Sequence, residues 1–231
     1  MNETTRMRIE SATVRFQRRG GLGVLVPGQM IVTAAHVVRR HWRSKVNGVE
    51  GQGVVTVAAG KWKAPVEVYA VDLVSDVAVL GEVDGYASEA LYKASEAFDE
   101  FCESTEPVPL CTTDFERLKP FSVHILTHDK GWVTGHTEQR WNAGCYLLIR
   151  AEAPIAGGTS GGPVVTDEGL LLGVASHAAG PVDGPLLEVG MPQVHLVVPG
   201  FLLRKMLDPE GELRAIRESI EADRSSQKES Q

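Results

Sequence analysis

The feature that most limits the fold is a series of short apolar runs, rich in valine and separated by glycine, proline and polar residues. Runs of four to eight residues with this composition favour β-strands. The 24 glycines and 12 prolines among 231 residues fit many tight turns and do not suit a helical bundle. Strands at this spacing predict a barrel or a sandwich. The predicted strands cover 12–17, 23–26, 30–33, 53–58, 64–71, 77–80, 108–111, 122–127, 131–134, 146–150, 162–166, 170–175 and 194–198.

The strands fall into two groups, separated by a segment of different composition. This segment contains Ala, Leu, Glu and Phe with little β-branching and ends in two prolines, so it predicts a linker that could hold a short helix. The end of the chain changes from a helical pattern with one apolar face to a polar tail, for which we predict disorder. The predicted organisation is a loose lead-in over 1–11, a first β-barrel over 12–85, a linker over 86–107, a second β-barrel over 108–199, a helical segment over 200–222 and a disordered tail over 223–231.

Charge and hydropathy exclude several classes of partner. The net charge is −7 and there is no basic stripe, so we expect neither nucleic acid nor an anionic membrane as a partner. A short basic cluster over 39–45 is interpreted as a solvated loop. The first ten residues contain no apolar segment, and no apolar run approaches the roughly 18 residues of a membrane span. These features predict a cytoplasmic protein.

Cysteine and histidine patterns predict no metal and no cofactor. Cys102, Cys111 and Cys145 are odd in number and match no zinc pattern. We expect free thiols, with a Cys102–Cys111 disulfide as the alternative. The sequence has no phosphate-binding loop and no dinucleotide fingerprint. Four further histidines lack the spacing of zinc ligands: His124, His128, His136 and His195.

Three short segments carry residues that together could hydrolyse a peptide bond. This reaction needs a nucleophile, a general base beside it, and a carboxylate that orients the base. The order His, Asp, Ser, with separations of 40 and 84 residues, differs from the orders in subtilisins and α/β-hydrolases. The segments are 31–38 around His36, 73–80 around Asp76, and 157–164 around Ser160.

Each of these residues has a predicted role. His36 is the candidate base, Asp76 orients it, and Ser160 is the candidate nucleophile. The backbone N–H groups of Gly158 and Ser160 are candidates for the oxyanion hole, because glycines allow a loop to point successive N–H groups into one concavity. Asp72 is a rival for the carboxylate role, since it lies four residues before Asp76 and both could face the same side of an extended strand.

The three segments resemble the motif set of trypsin-like serine proteases, and the bacterial HtrA-type branch is the most similar. The resemblance covers about residues 12–206 and favours Asp76 over Asp72, since the family motif continues as Asp-Val-Ala-Val-Leu. It implies an all-β fold of two antiparallel six-stranded β-barrels with the site between them, here followed by the predicted C-terminal helix. The matching motifs are 33–36, 75–80 and 158–163, supported by 21–24, 108–125 and 169–174.

Two departures from the family pattern bear on control. HtrA-type enzymes usually carry a PDZ domain after the protease, and the residues after Leu207 are too few for one. Thr159 stands where digestive trypsins have the aspartate that pairs with a new N-terminus, so activation by that route is not expected. We expect control by loop ordering, by oligomerisation, or by an activating protein partner that binds loops or the C-terminal helix.

The resemblance also predicts how a substrate binds. In this family the substrate pairs as an added strand with the segment that follows the serine motif, which is here Ser176, His177 and Ala178. The wall of the pocket for the P1 residue falls near Pro154 and Ile155. No charge lies where trypsins place their acidic residue, so we expect an uncharged or small aliphatic P1 residue.

The predicted function is a serine endopeptidase that cleaves protein or peptide substrates through an acyl-enzyme. It could act as a regulated effector within a bacterial assembly. The alternative is a binding or regulatory module that keeps the fold without catalysis.

Overall fold

The computed structural model describes residues 1–17, 20–42, 53–111, 120–129, 131–138, 147–155, 157–179 and 194–199. In these parts of the chain, strands dominate and three α-helices accompany them. The helices are α1 (Glu3–Ser11), α2 (Ala35–Trp42) and α3 (Glu89–Ser104), and a single 3-10 turn covers Gly85–Ala87. The strands are β1 (Thr13–Phe16), β2 (Leu22–Val26), β3 (Met30–Ala34), β4 (Val54–Ala59), β5 (Trp62–Asp72), β6 (Val77–Gly81), β7 (Ser122–Thr127), β8 (Gly131–Glu138), β9 (Leu147–Ala151), β10 (Pro163–Val165), β11 (Leu171–Ala179) and β12 (Val194–Pro199).

The strands close into two antiparallel barrels of six strands each. The order around the first barrel is β1-β2-β3-β6-β5-β4, and β4 pairs with β1 to close it. The order around the second is β7-β8-β9-β12-β11-β10, closed by β10 and β7, so the two barrels share one connectivity. The predicted all-β fold of two six-stranded barrels is confirmed. The predicted segments over 200–222 and 223–231 lie outside the described residues.

The valine-rich runs form the barrel interiors. In the antiparallel barrels, alternate side chains point inward, and burial of a valine side chain stabilises the fold by about 1.5–3 kcal/mol. The main buried cluster extends from the first barrel to residues of β10 and β11, so the two barrels pack through a continuous apolar contact. Fully buried valines of this cluster are Val14, Val24, Val26, Val32, Val38, Val57, Val66, Val68, Val77, Val108, Val165 and Val174.

The strand predicted over 108–111 is wrong, because this segment joins neither barrel as a strand. Its N–H groups instead bond to both barrels: Val108 donates to the Leu25 carbonyl at 2.9 Å and Cys111 donates to the Leu171 carbonyl at 2.8 Å. Leu110 forms an isolated parallel bridge with Leu171. The segment therefore connects the two barrels.

The residues predicted as a loose lead-in form helix α1. Asn2 caps the helix by accepting a hydrogen bond from the Thr5 N–H at 2.8 Å. Ile9 is fully buried, and Glu10 accepts a hydrogen bond from the indole N–H of Trp132 at 2.6 Å, so the helix binds to the second barrel. Because Met7 is exposed, the helix has no apolar stripe that would have identified it in the sequence.

Helix α3 occupies most of the linker between the barrels. Its Phe101 ring stacks on Trp62 of β5 with centroids 4.2 Å apart, and the Trp62 indole N–H donates to the Ala97 carbonyl at 2.7 Å. None of the described helices is both long enough and apolar enough to cross a membrane.

The cysteines within the described residues are free thiols. Cys102 is half-buried on α3 and Cys111 is buried, and no disulfide joins them. Burial raises the pKa of the Cys102 thiol to about 11, and the nearby charges of Asp99 and Glu82 add to the effect. A thiol with so high a pKa is a poor nucleophile. Cys145 lies outside the described residues.

Candidate active site

His36 and Asp76 lie together because two neighbouring strands end at the same edge of the first barrel. Strands β3 and β6 pair with Ala34 opposite Val77. His36 follows β3 as the second residue of α2, and Asp76 immediately precedes β6. The Ala35 N–H donates to the Asp76 carbonyl at 2.9 Å and continues the pairing beyond the strands.

The Asp76 carboxylate is nearly buried and accepts hydrogen bonds from two described residues, His36 and Ser176. His36 Nδ1 lies 2.8 Å from Oδ2, the His36 backbone N–H donates to Oδ1 at 2.9 Å, and the Ser176 hydroxyl donates to Oδ2. Burial alone would raise the pKa of the Asp76 carboxyl, but the hydrogen bonds from His36 and Ser176 outweigh burial and hold the pKa below its ordinary value. Asp76 is therefore charged at neutral pH and fixes the orientation of the imidazole.

The backbone at Asp76 is in the left-handed region, with φ of 52°. This conformation is uncommon for a residue other than glycine, although aspartate tolerates it better than most, and it costs about 1–3 kcal/mol. The bonds from Ala35 and His36 to Asp76 hold the chain there. The strained turn aims both carboxylate oxygens at the histidine.

Asp72, the other candidate for the catalytic carboxylate, bonds instead to the backbone of the turn that follows it. Its Oδ1 accepts hydrogen bonds from the N–H groups of Val74 at 2.8 Å and Ser75 at 3.2 Å. Such a turn is a common structural use of aspartate. The structure thus places Asp76 against His36, while Asp72 shapes the turn that leads to it.

Ser160 lies where the two barrels meet. Its carbonyl accepts a hydrogen bond from the Leu22 N–H of β2 at 2.8 Å, and the next residue, Gly161, donates to the Ala175 carbonyl of β11 at 2.6 Å. The Ser160 hydroxyl donates to the Ser176 carbonyl at 3.3 Å. The loop that carries the serine is therefore fixed to both barrels.

Gly161 allows this close approach, which gives a prediction on stability. Its φ is 79°, and an added Cβ would clash with the Leu22 carbonyl oxygen and Thr33 Oγ1. Gly28 has a similar φ of 90° but no atom within 4 Å of such a Cβ. We expect Gly161→Ala to lower the free energy of unfolding by about 3–5 kcal/mol, or to prevent folding, and Gly28→Ala to lower it by only about 1–2 kcal/mol. Urea unfolding of both variants measures this; equal losses would contradict the packing argument.

The loop before Ser160 presents two N–H groups without acceptors. Within the described residues, neither the Gly158 N–H nor the Ser160 N–H forms a hydrogen bond. Gly158 has a φ of 91°, and an added Cβ would lie 3.3 Å from Cγ of His128. Thr159 is buried, and its hydroxyl accepts a hydrogen bond from the His128 N–H at 3.2 Å, which anchors the loop to the second barrel. Both N–H groups are available to an oxyanion.

His36 and Ser160 open onto one cavity of about 550 Å³. Gly21 has no room for a side chain, since an added Cβ would lie 2.9 Å from Cγ1 of Val37 and 3.3 Å from the Ser160 carbonyl oxygen. An imidazole held by a carboxylate and a serine beside free N–H groups can carry out acyl transfer. The described lining residues are Gly20, Gly21, His36, Val37, Arg39, Gly158 and Ser160.

The residues predicted to bind substrate fall into two groups. Ser176, His177 and Ala178 lie on β11, which has a bulge at this point. Pro154 is exposed and Ile155 packs partly against the core of the second barrel, but neither lines the cavity described above. Their assignment to the P1 pocket stays a prediction.

The hydrogen bond from the Ser176 hydroxyl to Asp76 was not predicted. The sequence predicts for Ser176 only a backbone role in pairing with substrate. The two residues are 100 positions apart in different barrels, and a single serine in a strand carries no sequence signal for such a contact. Among the described residues, no group of three or more His, Cys, Asp or Glu side chains could hold a metal ion.

Comparison with known proteins agrees with this geometry. Residues 21–174 match the family model described as a trypsin-like peptidase domain. The inactive form of Rv3671c from M. tuberculosis H37Rv, carrying a serine-to-alanine substitution, is 19% identical with a TM-score of 0.57, and the alignment covers 89% of each chain. A second structure of the Rv3671c protease in an inactive form is 20% identical with a TM-score of 0.53, covering 87% of this chain and 89% of the other. At these identities both structures support the fold alone. No curated protein matches the sequence.

Proposed function

This chain belongs to the trypsin-like peptidase family, and we propose that it cleaves protein substrates through an acyl-enzyme formed on Ser160. As a family member it is a serine endopeptidase. The observation that carries the assignment of roles is the pairing of His36 Nδ1 with Asp76 Oδ2 at 2.8 Å, beside a cavity that both His36 and Ser160 line. His36 is the general base, Asp76 orients it, and Ser160 is the nucleophile.

Attack begins with a change in the hydrogen bonding of Ser160. Its hydroxyl donates to the Ser176 carbonyl, and it must give up this bond to donate to Nε2 of His36. In a strand-like complex this carbonyl can instead accept the N–H of the substrate residue before the scissile bond. Binding of substrate thus releases the hydroxyl toward the base. His36 takes the proton as the Oγ–carbon bond forms and later donates it to the leaving amine.

The oxyanion of the tetrahedral intermediate is stabilised by the N–H groups of Gly158 and Ser160. Loss of one such donor in other serine proteases costs about 10²–10³-fold in kcat. The support here is that both groups lack an acceptor among the described residues, while the bond from His128 to Thr159 holds the loop between them.

We do not expect the enzyme to be controlled by the trypsin route, in which an aspartate pairs with a newly made N-terminus. Thr159 is uncharged, and its hydroxyl already accepts a hydrogen bond from the backbone of His128, so it cannot form an ion pair with a newly made N-terminus. We propose that a partner protein or ordering of the loops sets activity, as in an effector that acts within a larger assembly. The cytoplasmic location stays a prediction from the sequence.

Specificity and activity can be tested in one experiment. Wild type and Ser160→Ala are incubated with a cytosolic proteome, and new N-termini are mapped. We expect cleavage by wild type only, after uncharged or small aliphatic residues, because no charged residue is predicted where trypsins place their acid. Cleavage mainly after Lys or Arg would contradict the specificity, and equal cleavage by both proteins would contradict the role of Ser160.

A further inference from the structure

Arg39 gives the cavity beside His36 and Ser160 a permanent positive charge. Arg39 is exposed on α2 and is one of the residues that line the cavity. The other described lining residues carry no permanent charge. Within the described part of the chain, the Arg39 side chain has neither an ion pair nor a hydrogen bond, so its guanidinium is available to a ligand. The sequence interpretation of this region as a solvated loop gave Arg39 no role.

The cavity lies on the leaving-group side of the scissile bond. The part of a substrate before that bond is expected to pair with β11 at 176–178, and no described lining residue comes from β11. The lining instead comes from the loop before β2, from α2 and from the serine loop. The part of the substrate after the scissile bond is therefore expected to pass His36 and Ser160 and to continue along the cavity toward Arg39.

We propose that Arg39 selects an acidic residue at the first position after the scissile bond, P1′. This inference rests on the proposed proteolytic function. A guanidinium presents a planar fork of N–H donors that matches a carboxylate and can bind it through two hydrogen bonds. The protein as a whole carries a net charge of −7, so attraction of an acidic residue depends on this local charge. For an exposed pair we expect a preference of about fivefold, which weakens as salt screens the charges.

The binding of residues after the scissile bond can be tested separately from the rest of the substrate. An acyl-enzyme is allowed to react with either water or an added amine, and the two products are compared. N-acetyl-alanine p-nitrophenyl ester acylates Ser160, and Glu-Ala-amide, Gln-Ala-amide or Lys-Ala-amide is added as nucleophile. The amine nitrogen bonds to the acyl carbon, the ester bond to Oγ breaks, and the amine proton passes through His36 to Oγ. The yield of tripeptide amide relative to hydrolysed N-acetyl-alanine reports binding at P1′.

The variants are Arg39→Gln and Arg39→Glu, with Lys63→Gln as the matched control. Lys63 is an exposed cation on β5 that does not line the cavity, so its loss removes the same charge elsewhere in the first barrel. We expect wild type and Lys63→Gln to favour Glu-Ala-amide over Gln-Ala-amide by about fivefold, Arg39→Gln to show no preference, and Arg39→Glu to favour Lys-Ala-amide.

The outcomes separate this inference from the function on which it rests. Equal partition to the Glu and Gln nucleophiles in wild type, or a Glu preference that survives in Arg39→Gln, overturns the role of Arg39 alone. Absence of ester hydrolysis that depends on Ser160 overturns the proposed function, and the role of Arg39 with it.

Discussion

Replacement of Ser160 by alanine should lower kcat by about 10⁶-fold, because no other described residue that lines the cavity can form the acyl-enzyme. The residual rate would come from the N–H groups of Gly158 and Ser160 and from substrate binding, which the alanine retains. A fluorophosphonate should label wild type at Ser160 and leave the variant unlabelled. Peptide hydrolysis and mass spectrometry of the labelled protein measure the two effects.

The control for this prediction is Ser11→Ala. Ser11 is an exposed serine at the end of α1, and its hydroxyl bonds only locally, to the Arg8 carbonyl. It should keep full labelling and full kcat. Wild-type activity should also be lower in acid than at neutral pH, because a protonated imidazole cannot accept the serine proton. Labelling of Ser160→Ala, or equal rates in acid and at neutral pH, would contradict the mechanism.

Replacement of Asp76 by asparagine should lower kcat by about 10⁴-fold at neutral pH. An amide of the same shape keeps the packing but no longer fixes the imidazole in the tautomer whose Nε2 accepts the serine proton. Asp72→Asn makes the same chemical change four residues earlier, at a carboxylate that only caps a turn, and should lower kcat by less than about tenfold. Steady-state kinetics of both variants give the comparison. A larger loss in Asp72→Asn would reverse the assignment.

The Asp76→Asn variant should also change how the free energy of unfolding depends on pH. Because the pKa of Asp76 is lower in the folded state, its charge stabilises the fold above the pKa of an unfolded aspartate, about 3.9, and this contribution is lost as the pH falls through the folded pKa. Urea unfolding should show wild type more stable than Asp76→Asn at pH 7, with a difference that shrinks below about pH 4. A difference that stays constant over this range would argue against a charged Asp76 in the folded protein.

Local patterns in the sequence were sufficient to predict most of the fold. Short runs rich in valine bury alternate side chains wherever they pair, so the strands and their division into two lobes follow from composition and turns. The helix α2, which contains His36, was missed because Val37 and Val38 are β-branched and do not favour a helix. Helix α1 was missed because its sequence has no amphipathic stripe, although Ile9 is fully buried.

The candidate site was predicted less completely, because its contacts join distant parts of the chain. Motif order was enough to suggest His36, Asp76 and Ser160. The choice between Asp72 and Asp76 depended on the family motif, and the structure supplies the physical reason in the strained turn at φ of 52°. The bond from Ser176 to Asp76 and the place of Arg39 in the cavity depend on how the two barrels pack, which no local pattern encodes.

The carboxylate of Asp76 is bonded from both sides of the molecule, by His36 in the first barrel and by Ser176 in the second. The reactive geometry therefore exists only while the two closed sheets keep one mutual alignment. A small rigid-body rotation of one barrel would leave every strand intact, but it would separate Ser176 from Asp76 and so lower the rate of catalysis.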